Sequence, residues 1–102
     1  MYQVMIVDDE PMAASLIVNI IKQKYNKFEI MGTAYDGEEA LELMEKKREP
    51  DVLITDIQMP VMNGLKLVEE TKKRYPEVLS VIVSGYQEFE YAKQAIAFGV
   101  CD

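Results

Sequence analysis

Apolar residues along this chain come in two rhythms, and the rhythms alternate. Tyr2 to Val7 is mostly apolar with weak alternation, which predicts a buried strand. After Asp8-Asp9-Glu10-Pro11, the residues Met12, Leu16, Ile17, Ile20 and Ile21 recur at three- and four-residue spacing, predicting a helix to about Lys24. Pro11 suits its first turn, and an acidic residue just ahead suits its cap. Phe28 to Ala34 reads as a second strand, less apolar and so nearer an edge. Tyr35-Asp36-Gly37 is a turn signal with Asp36 as a cap. Ala40, Leu41, Leu43 and Met44 mark a second helix, closed by Lys46-Lys47-Arg48, whose charge suits the negative end of a helix dipole. Pro50 breaks the chain before Val52-Leu53-Ile54-Thr55-Asp56, a short apolar and β-branched run that reads as a strand buried on both faces. Beyond Gly64, the residues Leu65, Leu67 and Val68 share a helix that runs to Tyr75 and is stopped by Pro76. Leu79 to Val83 is a fourth strand and Glu88 to Phe98 a fourth helix, capped by Gly99.

Strand and helix thus alternate four times, which implies a parallel sheet with right-handed crossovers and helices on both faces. In such a sheet the C-terminal ends of all strands share one rim. Asp8 and Asp9 end the first strand, Asp56 the third, and Ser84 the fourth. A carboxylate does not belong inside a buried strand, but it fits the crevice at the strand's end, where open α/β sheets place their ligands. Three carboxylates brought together there cannot all ionise cheaply, so a proton or a cation must be held among them. All-oxygen ligands favour a hard ion, and Mg²⁺ keeping several waters fits an incomplete protein shell. A carboxylate beside Mg²⁺ can act as an oxygen nucleophile toward a phosphoryl group, with a nearby hydroxyl bonding one of its oxygens. The plainer reading is that Asp8, Asp9 and Glu10 cap the first helix, Asp56 caps a turn, and Ser84 is an ordinary strand-end hydroxyl. Each is reasonable alone; their coincidence on one rim favours the site.

Composition narrows the rest. A chain of 102 residues, about half apolar, fits a single domain over residues 1–102 with a real core. Its formal charge is −7, from 18 acidic and 11 basic residues, which argues against direct nucleic-acid binding by this segment and suits a cation. No apolar run approaches membrane-spanning length and no signal peptide is evident. One cysteine, Cys101, allows no internal disulfide and reads as a small buried apolar residue, so a reducing cytoplasm is expected. There is no histidine to serve as base, metal ligand or phospho-carrier.

Val7-Asp8-Asp9-Glu10, Asp56-Ile57-Gln58-Met59-Pro60-Val61-Met62-Asn63-Gly64 and Val81-Ile82-Val83-Ser84-Gly85 resemble the receiver domain of two-component response regulators. The resemblance covers essentially the whole chain, and its aspartate-centred loop with Pro60 and Gly64 is the specific part. The segment from Ser84 to Phe98 is similar to receivers that precede AraC-type helix-turn-helix domains. The resemblance implies a flavodoxin-like, doubly wound sheet of strand order 2-1-3-4-5. It makes Asp56 the phospho-acceptor, Asp9 and Asp56 direct Mg²⁺ ligands, Asp8 a ligand through water, the Gln58 backbone carbonyl a further ligand, and Ser84 the hydroxyl that senses the phosphoryl group. It also implies a sensor histidine kinase as donor and a transcription factor as output, reaching DNA through a C-terminal AraC-type domain not present here. Gln58 and Tyr86 sit where the family varies beside the phosphoryl site, and each is equally well a solvated side chain.

One departure bears on mechanism. The family's fifth strand, with a switch aromatic and a lysine, and its fifth helix would fall just past Asp102. The domain is therefore expected to be truncated at its C-terminal end, without the cation that pairs with the phosphoryl group. The fourth strand would be left as an apolar edge and part of the first helix uncovered, favouring pairing between copies through those edges or the fourth helix. Two rival readings are a Mg²⁺-dependent phosphohydrolase with Asp56 as nucleophile, which lacks a further general acid and a cap over the site, and a pseudo-receiver that acts only as an interaction module.

Overall fold

The computed structural model describes residues 1–57, 59 and 61–83. Expectations on Gln58, Ser84, Gly85, Tyr86, the helix over 88–98, Gly99 and Cys101 lie outside the described residues.

Among the described residues seven elements follow in order: β1 (Tyr2–Val7), α1 (Pro11–Lys24), β2 (Phe28–Ala34), α2 (Gly37–Lys46), β3 (Val52–Asp56), α3 (Gly64–Arg74) and β4 (Leu79–Val83). The strands form one parallel sheet of order β2-β1-β3-β4. The two central strands, β1 and β3, are the most apolar, and the less apolar β2 takes an edge of the described sheet, as its composition predicts.

Side chains alternate across a strand, so each central strand feeds two cores. Val4 and Ile6 of β1, Val52 and Ile54 of β3, and Val81 and Val83 of β4 pack with Ala14, Ile17 and Ile21 of α1. Met5 and Val7 of β1 and Leu53 of β3 point the other way, onto Ala40, Leu41 and Met44 of α2 and Leu67 of α3. Helix α1 therefore covers one face and α2 with α3 the other. Each fully buried Leu, Ile or Met contributes about 1.5–3 kcal/mol.

The α1 stripe differs from the one its spacing suggests. Ala14, Ile17 and Ile21 are buried, whereas Met12 is 85% and Leu16 41% exposed. On α3, Leu65 is exposed, and Thr71 is buried with Leu67. Among the described residues two caps form from side chains: Asp36 accepts the Glu39 N–H at 2.8 Å, and Asn63 accepts the Lys66 N–H at 2.9 Å. Asp51 ties the far end of the sheet together. Its Oδ2 accepts the Gln3 N–H, its own N–H donates to the Gln3 carbonyl, and its carbonyl accepts the Leu79 N–H. Among the described residues no helix is long and apolar enough to cross a membrane.

Candidate metal centre

The pairing of β1 with β3 puts Val7 opposite Thr55, so the next residues, Asp8 just past β1 and Asp56 at the end of β3, emerge side by side. Chain order alone would leave Asp8 and Asp56 far apart; the crossover through α1, β2 and α2 makes them neighbours. One carboxylate oxygen from each of Asp8, Asp9 and Asp56 lies within 4.8 Å of the other two. Asp8 is buried, Asp56 half-buried and Asp9 exposed, so the cluster opens to solvent on one side.

Local bonds hold two of these groups in place. The Asp8 N–H donates to the Ala34 carbonyl at 3.0 Å, and Asp8 Oδ1 accepts the Glu10 N–H at 2.9 Å. That bond turns the chain into α1, where Pro11 takes the first turn. Glu10 occupies the cap position but its side chain makes no capping bond. Asp56 Oδ1 accepts the N–H of Ile57 at 2.8 Å, which sets the rotation of its carboxylate. The buried Thr55 hydroxyl donates to the Asp56 carbonyl at 3.0 Å. Both aspartates thus bond the local backbone, as the capping reading supposes, and still converge with Asp9.

Burial, above all, pushes the Asp8 carboxyl above the ordinary aspartate range. The Glu10 N–H pulls the other way, while Asp56, Asp9 and Glu10 add like-charge repulsion that raises it further. A carboxylate kept reluctant to ionise by its surroundings is one that a cation would relieve. Among the described residues the donor set fits a hard divalent ion: three carboxylates, no nitrogen or sulfur, and an open side for water.

Two contacts beside the cluster were not evident from the sequence as contacts, although both glycines stand in its turn signals. The Gly64 N–H donates to the Ile57 carbonyl at 2.8 Å, and a Cβ at Gly64 would collide with the Asp56 carbonyl oxygen. The start of α3 thus presses directly on the backbone of Asp56. A Cβ at Gly37 would meet Met62 Cγ at 2.8 Å and Cβ at 2.9 Å. Lys66, in the first turn of α3, pairs with Glu69 and Glu70.

Comparison with known proteins places the whole fold in a family. The family model for the response regulator receiver domain matches residues 4–102. The chain is 37% identical over 100 residues to the Bacillus subtilis transcriptional regulatory protein YesN, covering 98% of this chain and 27% of that protein. Among solved structures, the REC domain of AraT, a response regulator from Geobacillus stearothermophilus, superposes with a TM-score of 0.75 at 38% identity, over 97% of this chain and 76% of that one. A two component transcriptional regulator AraC from Clostridium phytofermentans gives 0.74 at 36% identity, over 89% and 73%. The chain spans well under half the length of the curated relatives it matches.

Proposed function

The chain belongs to the response regulator receiver domain family, and on that premise we propose that it is a phospho-accepting switch with Asp56 as the acceptor. Receiver domains of transcription regulators are signalling domains rather than turnover enzymes. The observation that carries the reading is the meeting of Asp8, Asp9 and Asp56 within 4.8 Å, at the rim where β1 and β3 end.

Asp8, Asp9 and Asp56 would hold Mg²⁺, with the Gln58 carbonyl as a further ligand by family position. Held there, Mg²⁺ would supply the positive charge that offsets the phosphoryl oxygens. The chain's own part is to aim the nucleophile. The Ile57 N–H holds Asp56 Oδ1, and an oxygen of that carboxylate forms the new P–O bond as the donor's bond to phosphorus breaks. The donor departs with the electron pair, and the product is an acyl phosphate on Asp56. Its lability suits a timed signal. By family position Ser84 would sense the phosphoryl group, and the readout is a shift between two packings rather than a new fold. The donor would be the phosphohistidine of a sensor kinase, and the output a transcription factor of the AraC type.

Intact mass reports the chemistry directly. Incubation with a small phosphodonor and Mg²⁺ should add one phosphoryl group to the wild-type chain and none to Asp56→Asn. An equal gain in both, or none in either, would refute the assignment.

A further inference from the structure

We propose that Gly37 and Met62 form a positioning pair that holds the described part of the β3–α3 connection in a strained conformation, and that this hold sets the affinity of the carboxylate site for a divalent ion. The inference deepens the reading above and rests on it for the identity of the ion.

Two independent observations meet in this loop. Val61 has φ of 68°, and it is the non-glycine residue with positive φ among those described. A β-branched side chain is strongly disfavoured there, because Cβ crowds the adjacent backbone. Val61 is also 80% exposed, so packing of its own side chain does not hold it in place. Something next to it must. Its neighbour Met62 is half-buried and packs against the core formed by β1, β3, α2 and α3. Met62 reaches that seat only because residue 37 has no side chain. Met62 Cγ, Cβ and Sδ all lie within 3 Å of where a Cβ on Gly37 would be. Cβ of Met62 is fixed to the main chain, so a rotamer change cannot clear it. A methyl group at position 37 must push the backbone of the loop.

The push is felt at the site. The loop leaves Asp56 at Ile57 and returns at Gly64, whose N–H bonds the Ile57 carbonyl. The Ile57 N–H in turn holds Asp56 Oδ1. Displacing Met62 therefore loads the two bonds that aim the Asp56 carboxylate. Groups that brace metal ligands typically matter 10- to 100-fold in affinity.

The test combines Mg²⁺ affinity, by calorimetry, with amide exchange in the metal-free protein. Gly37→Ala should weaken Mg²⁺ binding about tenfold and speed exchange at the Gly64 amide, while leaving exchange in β1 unchanged. Met62→Ala, which removes the seated side chain, should do the same, and the double variant should be no worse than the poorer single one. Val61→Asn tolerates positive φ, so placed in the Met62→Ala background, where no methyl group at position 37 crowds the loop, it should recover most of the lost affinity. Unchanged affinity and unchanged Gly64 exchange in a folded Gly37→Ala would overturn the proposal, as would a loss that Val61→Asn fails to recover. If Gly37→Ala does not fold, Met62→Ala decides on the same two readouts. Failure of the wild-type chain to bind Mg²⁺ would instead sink the functional reading, while the exchange data would still judge the brace.

Discussion

At the scale of single residues, Asp8 is where fold and site compete. Its carboxyl is buried beside two other acids, and its proton is held more tightly in the folded chain than in the unfolded one. The sign follows from linkage: with the folded pKa raised, the folded state binds more protons between the two values, so its stability falls as pH rises through that window and levels off above it. Asp8→Asn removes this dependence. In metal-free urea unfolding, the variant should match the wild type in acid and gain on it as pH rises toward neutrality. A constant difference across pH would mean that Asp8 does not carry the strain. On the proposed function the same substitution should also weaken Mg²⁺ binding, so the residue that costs stability without the ion would be one that holds it. Thr71 offers a simpler case. Its hydroxyl oxygen is buried on α3 with no hydrogen-bond partner among the described residues. Thr71→Val keeps the shape and removes the orphan, and chemical denaturation should show a gain of about 1 kcal/mol.

At the scale of elements, the sequence was legible wherever one property decided the outcome. Pro11, Pro50 and Pro76 fall at element boundaries, Asp36 caps α2, and the low apolarity of β2 matches its edge position. Faces were harder to read. Helix α1 carries two adjacent apolar rows, Met12-Leu16-Ile20 and Ala14-Ile17-Ile21, and periodicity does not say which faces the sheet. The choice depends on where Ala14, small enough for close approach, meets the strands, which is a tertiary fact. The two rows should separate in a mutational comparison. Ile17→Ala, at a site 8% exposed, should cost about 2–4 kcal/mol. Leu16→Ala should cost under about 1 kcal/mol, because its side chain already meets solvent. Equal losses in urea unfolding would mean that α1 is seated on the other row. The caps show the same limit. Asn63 lay in view in the loop motif, yet its capping of α3 became evident only with the helix start fixed at Gly64.

At the scale of the whole molecule, the carboxylate cluster exists only in the folded chain. Asp8 and Asp9 stand at one end of the sequence and Asp56 in its middle, and parallel pairing of β1 with β3 brings them together. That much could be reasoned from strand order, since parallel strands share a rim; the braces at Gly37 and Gly64 could not, because close approach leaves no periodic trace. The consequence is thermodynamic. An ion that needs all three carboxylates binds the folded state and has no equivalent site in the unfolded one, so binding must raise stability by mass action, by about 2.7 kcal/mol at a free concentration one hundred times Kd. The unfolding temperature should therefore climb with the logarithm of Mg²⁺ concentration, whereas a monovalent salt at equal ionic strength should give only the smaller shift expected from screening. Asp56→Asn, which removes one donor and part of the like-charge repulsion, should flatten the Mg²⁺ response. A slope that survives this substitution would place the ion elsewhere on this acidic chain, and the rim of β1 and β3 would then be a set of helix and turn contacts without a ligand of its own.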